Sequence, residues 1–77
     1  MLREVLLSRV CIGMTREEIL AELGPPDDTG GTSRKHRTPS IYKYGLIELH
    51  FEPWSTGKLR MVYTEDEHGE GHVLLEE

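Results

Sequence analysis

Residues Thr15 to Gly24 constrain this chain more than any other stretch, because both ends of a helix are written into them. Thr15 is a good N-cap, since its hydroxyl can accept from a free N–H of the first turn. Glu18, three residues on, can reach back to the Thr15 N–H and complete a capping box. Met14 and Ile19 stand where a hydrophobic staple would join them. Gly24 suits a left-handed helix end, and Pro25-Pro26 cannot continue a helix. The spacing predicts a helix of about nine residues whose face Ile19, Leu20 and Leu23 needs a surface to cover.

A helix this short needs a partner, and the chain has little to offer beyond one core. Its 77 residues allow one domain over 1–77. A chain of this size buries only about 60% of its unfolded surface. The formal charge of -5 argues against non-specific nucleic-acid binding. A single cysteine, Cys11, excludes an internal disulfide framework and an all-cysteine metal site, which fits a reducing, cytoplasmic setting. No apolar run approaches the ~20 residues needed to cross a bilayer. The first residues, with acidic Glu4 and no long apolar stretch, do not read as a secretory signal.

Before the capped helix, Leu2, Val5, Leu6 and Val10 recur at helical spacing and predict a first short helix over 2–10. After it, Pro25 to Pro39 reads as a loop rich in Gly, Pro, Asp, Ser and Thr. Ser40 to Tyr44 reads as a strand, and Gly45 as a turn or bulge. Leu46 to Phe51 alternates cleanly, with Ile47, Leu49 and Phe51 on one face and Glu48, His50 and Glu52 on the other. Pro53 to Gly57 reads as a hairpin loop carrying Trp54. Lys58 to Thr64 is the next strand, with Leu59, Met61 and Tyr63 on the apolar side and Val62 out of step. Residues 66–77 are either an edge strand around His72 to Leu75 or a mobile tail.

The expected fold is α+β: two short N-terminal helices packed on one face of a three- or four-stranded antiparallel sheet. The expected apolar face comprises Ile47, Leu49, Phe51, Leu59, Met61 and Tyr63. The opposite face carries Glu48, His50, Arg60 and either Tyr42 or Tyr44.

Gly13-Met14-Thr15, a short helix, Leu23-Gly24-Pro25-Pro26, a loop and then strands resemble the small outer-membrane assembly lipoprotein family SmpA/OmlA, or BamE. The order is also similar to the helix–helix–sheet unit of the β-lactamase inhibitory proteins. The resemblance covers roughly residues 10–64 and implies helices packed on an antiparallel sheet, with a role in protein binding. Lipidation and outer-membrane location do not carry over, because Cys11 follows Arg9-Val10 inside the element pattern. The run from Pro25 to Gly45 looks closer to short cytosolic bacterial proteins without assigned chemistry.

Candidate contact residues follow from charge and aromaticity. Arg34, Lys35, His36 and Arg37 form the chain's basic cluster, with Tyr42 and Tyr44 nearby. Arginine offers paired donors to an acidic surface or a phosphate, and tyrosine offers flat contact area. The alternative is a solvated loop whose charges pair with Asp27, Asp28 or Glu48. Trp54 is either an interface anchor or a cover for the sheet edge. His50 and Arg60 complete the expected partner-binding set on the outer face. His68-Gly69-Glu70-Gly71-His72 would suit a metal on a helix, but its two glycines argue against one. Cys11 with a histidine lacks an orienting third group, so it reads as a small buried cysteine. Glu17, Glu18, Glu48 and Glu52 have the spacing of solvated faces rather than of an acid–base pair.

No enzyme activity, cofactor or metal is expected. The expectation is a cytoplasmic protein-binding module. Its acidic charge and small size suit an inhibitor or immunity-type protein that covers a larger, more basic partner. The alternatives are a homo-oligomer joined through an edge strand and a small-ligand or metal-binding protein.

Overall fold

Helix α2 (Arg16–Leu23) forms where its caps place it. In the computed structural model, which describes residues 3–35, 37–54 and 56–77, the Thr15 hydroxyl accepts the Glu18 N–H at 3.2 Å. Glu18 Oε1 accepts the Thr15 N–H at 3.1 Å, which completes the capping box. Gly24 closes the helix at φ +77°, with its N–H donated to the Leu20 carbonyl at 2.8 Å. Ile19 is fully buried and Leu23 half-buried, while Leu20 stays exposed. Helix α1 (Arg3–Arg9) precedes it and buries Leu6, with Val10 buried just beyond its end. Val5 faces water, and Leu2 lies outside the described residues.

The sheet has five antiparallel strands in sequential order. They are β1 (Asp28–Gly30), β2 (Ile41–Tyr44), β3 (Ile47–Phe51), β4 (Leu59–Glu65) and β5 (Gly71–Glu76). The expected count of three or four strands is therefore corrected to five. The added strand, β1, lies in the stretch read as a loop. Asp28 and Gly30 disfavour a strand and only Thr29 favours one, so the stretch is extended because it pairs with Lys43, Tyr42 and Ile41. Residues 71–76 are an edge strand beside β4 rather than a tail.

Register shifts in β4 and β5 decide which side chains face the helices. Phe51 lies opposite Leu59 and His50 opposite Met61, which leaves Arg60 as an extra residue. One extra residue flips the alternation beyond it. Leu59 faces the core before the bulge, and Val62 and Thr64 face it afterwards, all three buried. Met61 and Tyr63 are thereby turned to the outer face, which corrects their expected place in the core. A second shift makes Leu74 the extra residue in β5, so that Leu75 opposes Val62 and Val73 opposes Tyr63.

The core is a single cluster of Leu6, Val10, Ile19, Tyr42, Tyr44, Ile47, Leu49, Phe51, Leu59 and Val62. Each fully buried aliphatic side chain stabilises the fold by roughly 1.5–3 kcal/mol. The helix connection is fastened to the start of β4, where Gly13 donates to the Leu59 carbonyl at 2.8 Å and Leu59 to the Met14 carbonyl at 2.7 Å. Among the described residues, no helix is long and apolar enough to cross a membrane.

Candidate functional site

The helices cover one face of the sheet and leave the other bare. Two transverse rows define the bare face. One runs Gly30, Ile41, His50, Met61, Glu76, and the other Asp28, Lys43, Glu48, Tyr63, Val73. Ile41, Met61 and Tyr63 are half-buried by their neighbours alone, and Val73 is 50% exposed. His50 meets the Tyr63 ring edge-on at 6.2 Å between centroids. Its Nε2 lies 3.1 Å from Glu48 Oε1. The Tyr63 ring occupies the space a side chain at Gly71 would fill. The result is an apolar and aromatic strip crossing strands β2 to β5, edged by charge.

At one end of this face stand Trp54 and the basic segment. Arg16, a residue that no sequence motif singles out, ties the backbone beside Trp54 to the backbone that follows the basic segment. Arg16 is buried, with 6% of its surface exposed. Its guanidinium donates to four backbone carbonyls: Pro39 (2.8 Å), Trp54 (2.9 Å), Gly57 (3.2 Å) and Glu52 (2.8 Å). It also stacks 4.9 Å from the centre of the Phe51 ring. Burial pulls its pKa below the usual value, opposed by the charges of Tyr42 and Glu52. An arginine remains charged at any ordinary pH, so the knot is permanent. It ties the segment before β2 to the 53–57 loop. The Phe51 N–H bonded to the Ser40 carbonyl at 2.7 Å closes the same end.

Around this knot Arg34, Lys35, Arg37, Lys58 and Arg60 are exposed, and Trp54 is 49% exposed. Among the described residues none of these five cations has an ion-pair partner; the pairs within 4 Å are His50–Glu48 and His72–Asp66. The acids that would neutralise the loop are engaged elsewhere. Asp27 Oδ2 accepts the Gly45 N–H, Asp28 Oδ1 the Thr29 N–H, and Glu48 meets His50. Arg34 and Arg37 border a shallow hollow of about 490 Å³ together with Thr32 and Ser33. His36 and Ser55 lie outside the described residues.

The expected contact residues thus divide. Arg34, Lys35, Arg37, Trp54 and Arg60 share one end of the sheet, and His50 lies on the bare face. Tyr42 and Tyr44 do not join them. They oppose Leu49 and Ile47 on the helix side and are buried, at 9% and 6% exposure. Tyr42 packs edge-on to Phe51 at 5.1 Å. Tyr44 donates its hydroxyl to the Gly24 carbonyl at 2.8 Å. Their placement is corrected from surface to core, because the pairing register sets them on the face of Ile47 and Leu49.

The opposite end of the sheet carries the acidic β4–β5 turn. A groove of about 740 Å³ runs between Arg3 of α1 and the core side of the sheet, past Tyr44, Leu46, Ile47, His72 and Leu74. Beside it, Asp66, Glu70 and His72 bring their ligand atoms within 4.8 Å of one another in the β4–β5 turn. Of the two histidines in the 68–72 motif, only His72 belongs to this group. Asp66 Oδ1 already accepts the His68 and Glu70 N–H groups at 2.9 Å each. Cys11 is exposed rather than buried, and its N–H points at the Met14 sulfur.

No protein-family model matches the chain, and neither a curated protein nor a solved structure matches it.

Proposed function

We propose that the chain is a non-enzymatic protein-binding module of inhibitor or immunity type, acting in the cytoplasm. Its contact surface is the bare face of the sheet, and Trp54 and the basic segment form one rim. The observation that carries this reading is the outward set of Ile41, His50, Met61, Tyr63 and Val73, of which the bulge at Arg60 turns Met61 and Tyr63 away from the core. Interface centres favour such Tyr and Met side chains. The helix–helix–sheet resemblance to the SmpA/OmlA family points the same way, since protein binding is the role it implies.

The test is capture from native cells with tagged wild-type chain and with Val73→Glu and Met61→Glu variants as bait. A near-equimolar partner held by the wild type and lost from both variants supports the reading. A partner retained by both variants, or the absence of one, removes the bare face as the contact surface.

A second reading is a homo-oligomer. The six-residue strand β5 pairs with β4 on one side only, so it offers an edge to another chain. Light scattering separates the two: a mass that rises with concentration favours self-pairing, and a constant monomer mass excludes it.

A further inference from the structure

We propose that the end of the sheet built around Arg16 recognises a short, carboxylate-rich segment of a partner protein. The inference rests on reading the chain as a protein-binding module and names the chemistry of one part of its surface. Arg34, Lys35, Arg37, Lys58 and Arg60 make up five of the nine Lys and Arg residues. They are exposed without ion pairs among the described residues. Glu52 lies within this end but is committed, its Oε1 accepting the Lys58 N–H at 2.9 Å. The Glu77 N–H donates to the Arg60 carbonyl at 3.1 Å, so the terminal acids border the patch on the Arg60 side. The patch is thus most strongly basic around Arg34, Lys35 and Arg37.

Those arginines suit a carboxylate. Arg34 and Arg37 border the same hollow as Thr32 and Ser33, and a guanidinium presents paired donors that match two carboxylate oxygens. The Trp54 carbonyl and the Pro39 carbonyl are held by one guanidinium, which sets the indole's backbone close to the basic segment. The half-exposed ring offers flat area to the peptide beside its charges. Because the knot fixes the backbone at Pro39, Glu52, Trp54 and Gly57 beforehand, binding is not charged with the entropy of ordering those points.

Charge elsewhere in the chain selects a short segment over a long polyanion. Outside this end, three cations, Arg3, Arg9 and Lys43, face thirteen of the fourteen acids. A nucleic-acid strand carries a phosphate at every step and would run from the patch into that negative field. An acidic peptide of a few residues ends before it does.

The chain carries one tryptophan, so Trp54 fluorescence reports this end directly. The experiment titrates the full chain with capped hexaglutamate at low and at physiological salt. Hexalysine, a thymidine oligonucleotide and inorganic phosphate serve as comparison probes. A saturable change with hexaglutamate is expected, weakening as salt is added. Reversal of Arg34, Lys35 and Arg37 to Glu should weaken it about tenfold or more, and Arg34→Gln with Arg37→Gln by less. Circular dichroism confirms that the variants fold. The proposal is overturned if hexaglutamate does not saturate, if the charge variants bind it equally well, or if the oligonucleotide or free phosphate binds more tightly. Val73→Glu should leave hexaglutamate binding unchanged while losing the captured partner. A partner captured by a chain that ignores hexaglutamate sinks this assignment alone; hexaglutamate bound by a chain without a partner sinks the bare-face reading alone.

Discussion

Each end of the sheet is gathered around one charged side chain that bonds to backbone, but the two charges sit in different surroundings. Arg16 is buried and donates to four carbonyls drawn from two loops. Asp66 lies in the exposed β4–β5 turn and accepts two N–H groups from its own next four residues. The first arrangement joins segments distant in sequence; the second shapes a turn that is already local. A hydrogen bond to a charge counts for more where water cannot replace it. The basic end should therefore depend strongly on its central residue, and the acidic end only weakly.

The sharpest way to break this contrast is Arg16→Met, which keeps the aliphatic stem and removes the donors. Four carbonyls then lose a charged partner, and a loss of about 3 kcal/mol is expected. In thermal melts that amounts to more than about 10 °C for a domain of this size. A melt within a few degrees of wild type would show that water substitutes for the guanidinium. Gly57→Ala tests the same end from the loop side. A β-carbon there meets the Glu52 backbone carbonyl, while the Gly57 carbonyl itself accepts from Arg16. Moving the loop away from that clash should cost roughly 1–3 kcal/mol by denaturant titration.

At the other end, Tyr44→Phe removes the hydroxyl that holds the Gly24 carbonyl, for about 1 kcal/mol. Its pH signature is more specific. Burial, with Tyr42 and Asp27 adding, pushes the Tyr44 hydroxyl from 10.0 up to about 12. The folded state thus holds this proton more tightly than the unfolded chain does. That contribution is complete below pH 10 and is lost as pH rises from 10 through 12. The Phe variant should show a shallower alkaline loss across that window. Asp66→Asn should have the smallest effect. The Glu70 N–H, helped by the His68 N–H and His72 and opposed by slight desolvation, holds the Asp66 carboxyl below its usual 3.8. Its contribution is present above that pH and fades as pH falls through the lower folded value. The variant should flatten the acid limb of stability and leave neutral-pH melts almost unchanged.

The parts of this fold legible in the sequence are those determined by near neighbours. Thr15, Glu18 and Gly24 specify a helix within ten positions, and Ile47, Leu49 and Phe51 declare a strand by alternation. What escaped depends on distant pairing. Asp28-Thr29-Gly30 is a strand only because β2 lies beside it. Met61 and Tyr63 look like core residues until the bulge at Arg60 turns them outward, and Val62, out of step in the alternation, was the visible trace of that bulge. Arg16 begins a charged run with Glu17 and Glu18 and nothing near it in sequence marks it for burial, since the carbonyls that bury it come from far along the chain. Within the candidate site, the grouping of the basic segment with Trp54 was legible only as composition. Arg16 supplies the geometry.

Those separations bear on the order in which the molecule assembles. The capping box joins residues three positions apart, whereas the Arg16 donors reach carbonyls 23, 36, 38 and 41 positions away. Closing such loops costs entropy before any bond repays it. Helix α2 can therefore flicker into place early, while the knot closes after β2, β3 and the 53–57 turn have met. Interactions absent from the folding transition state act on the escape rate from the native state. Arg16 is a latch in the kinetic sense: without it the chain should fold at nearly its usual rate and come apart much faster.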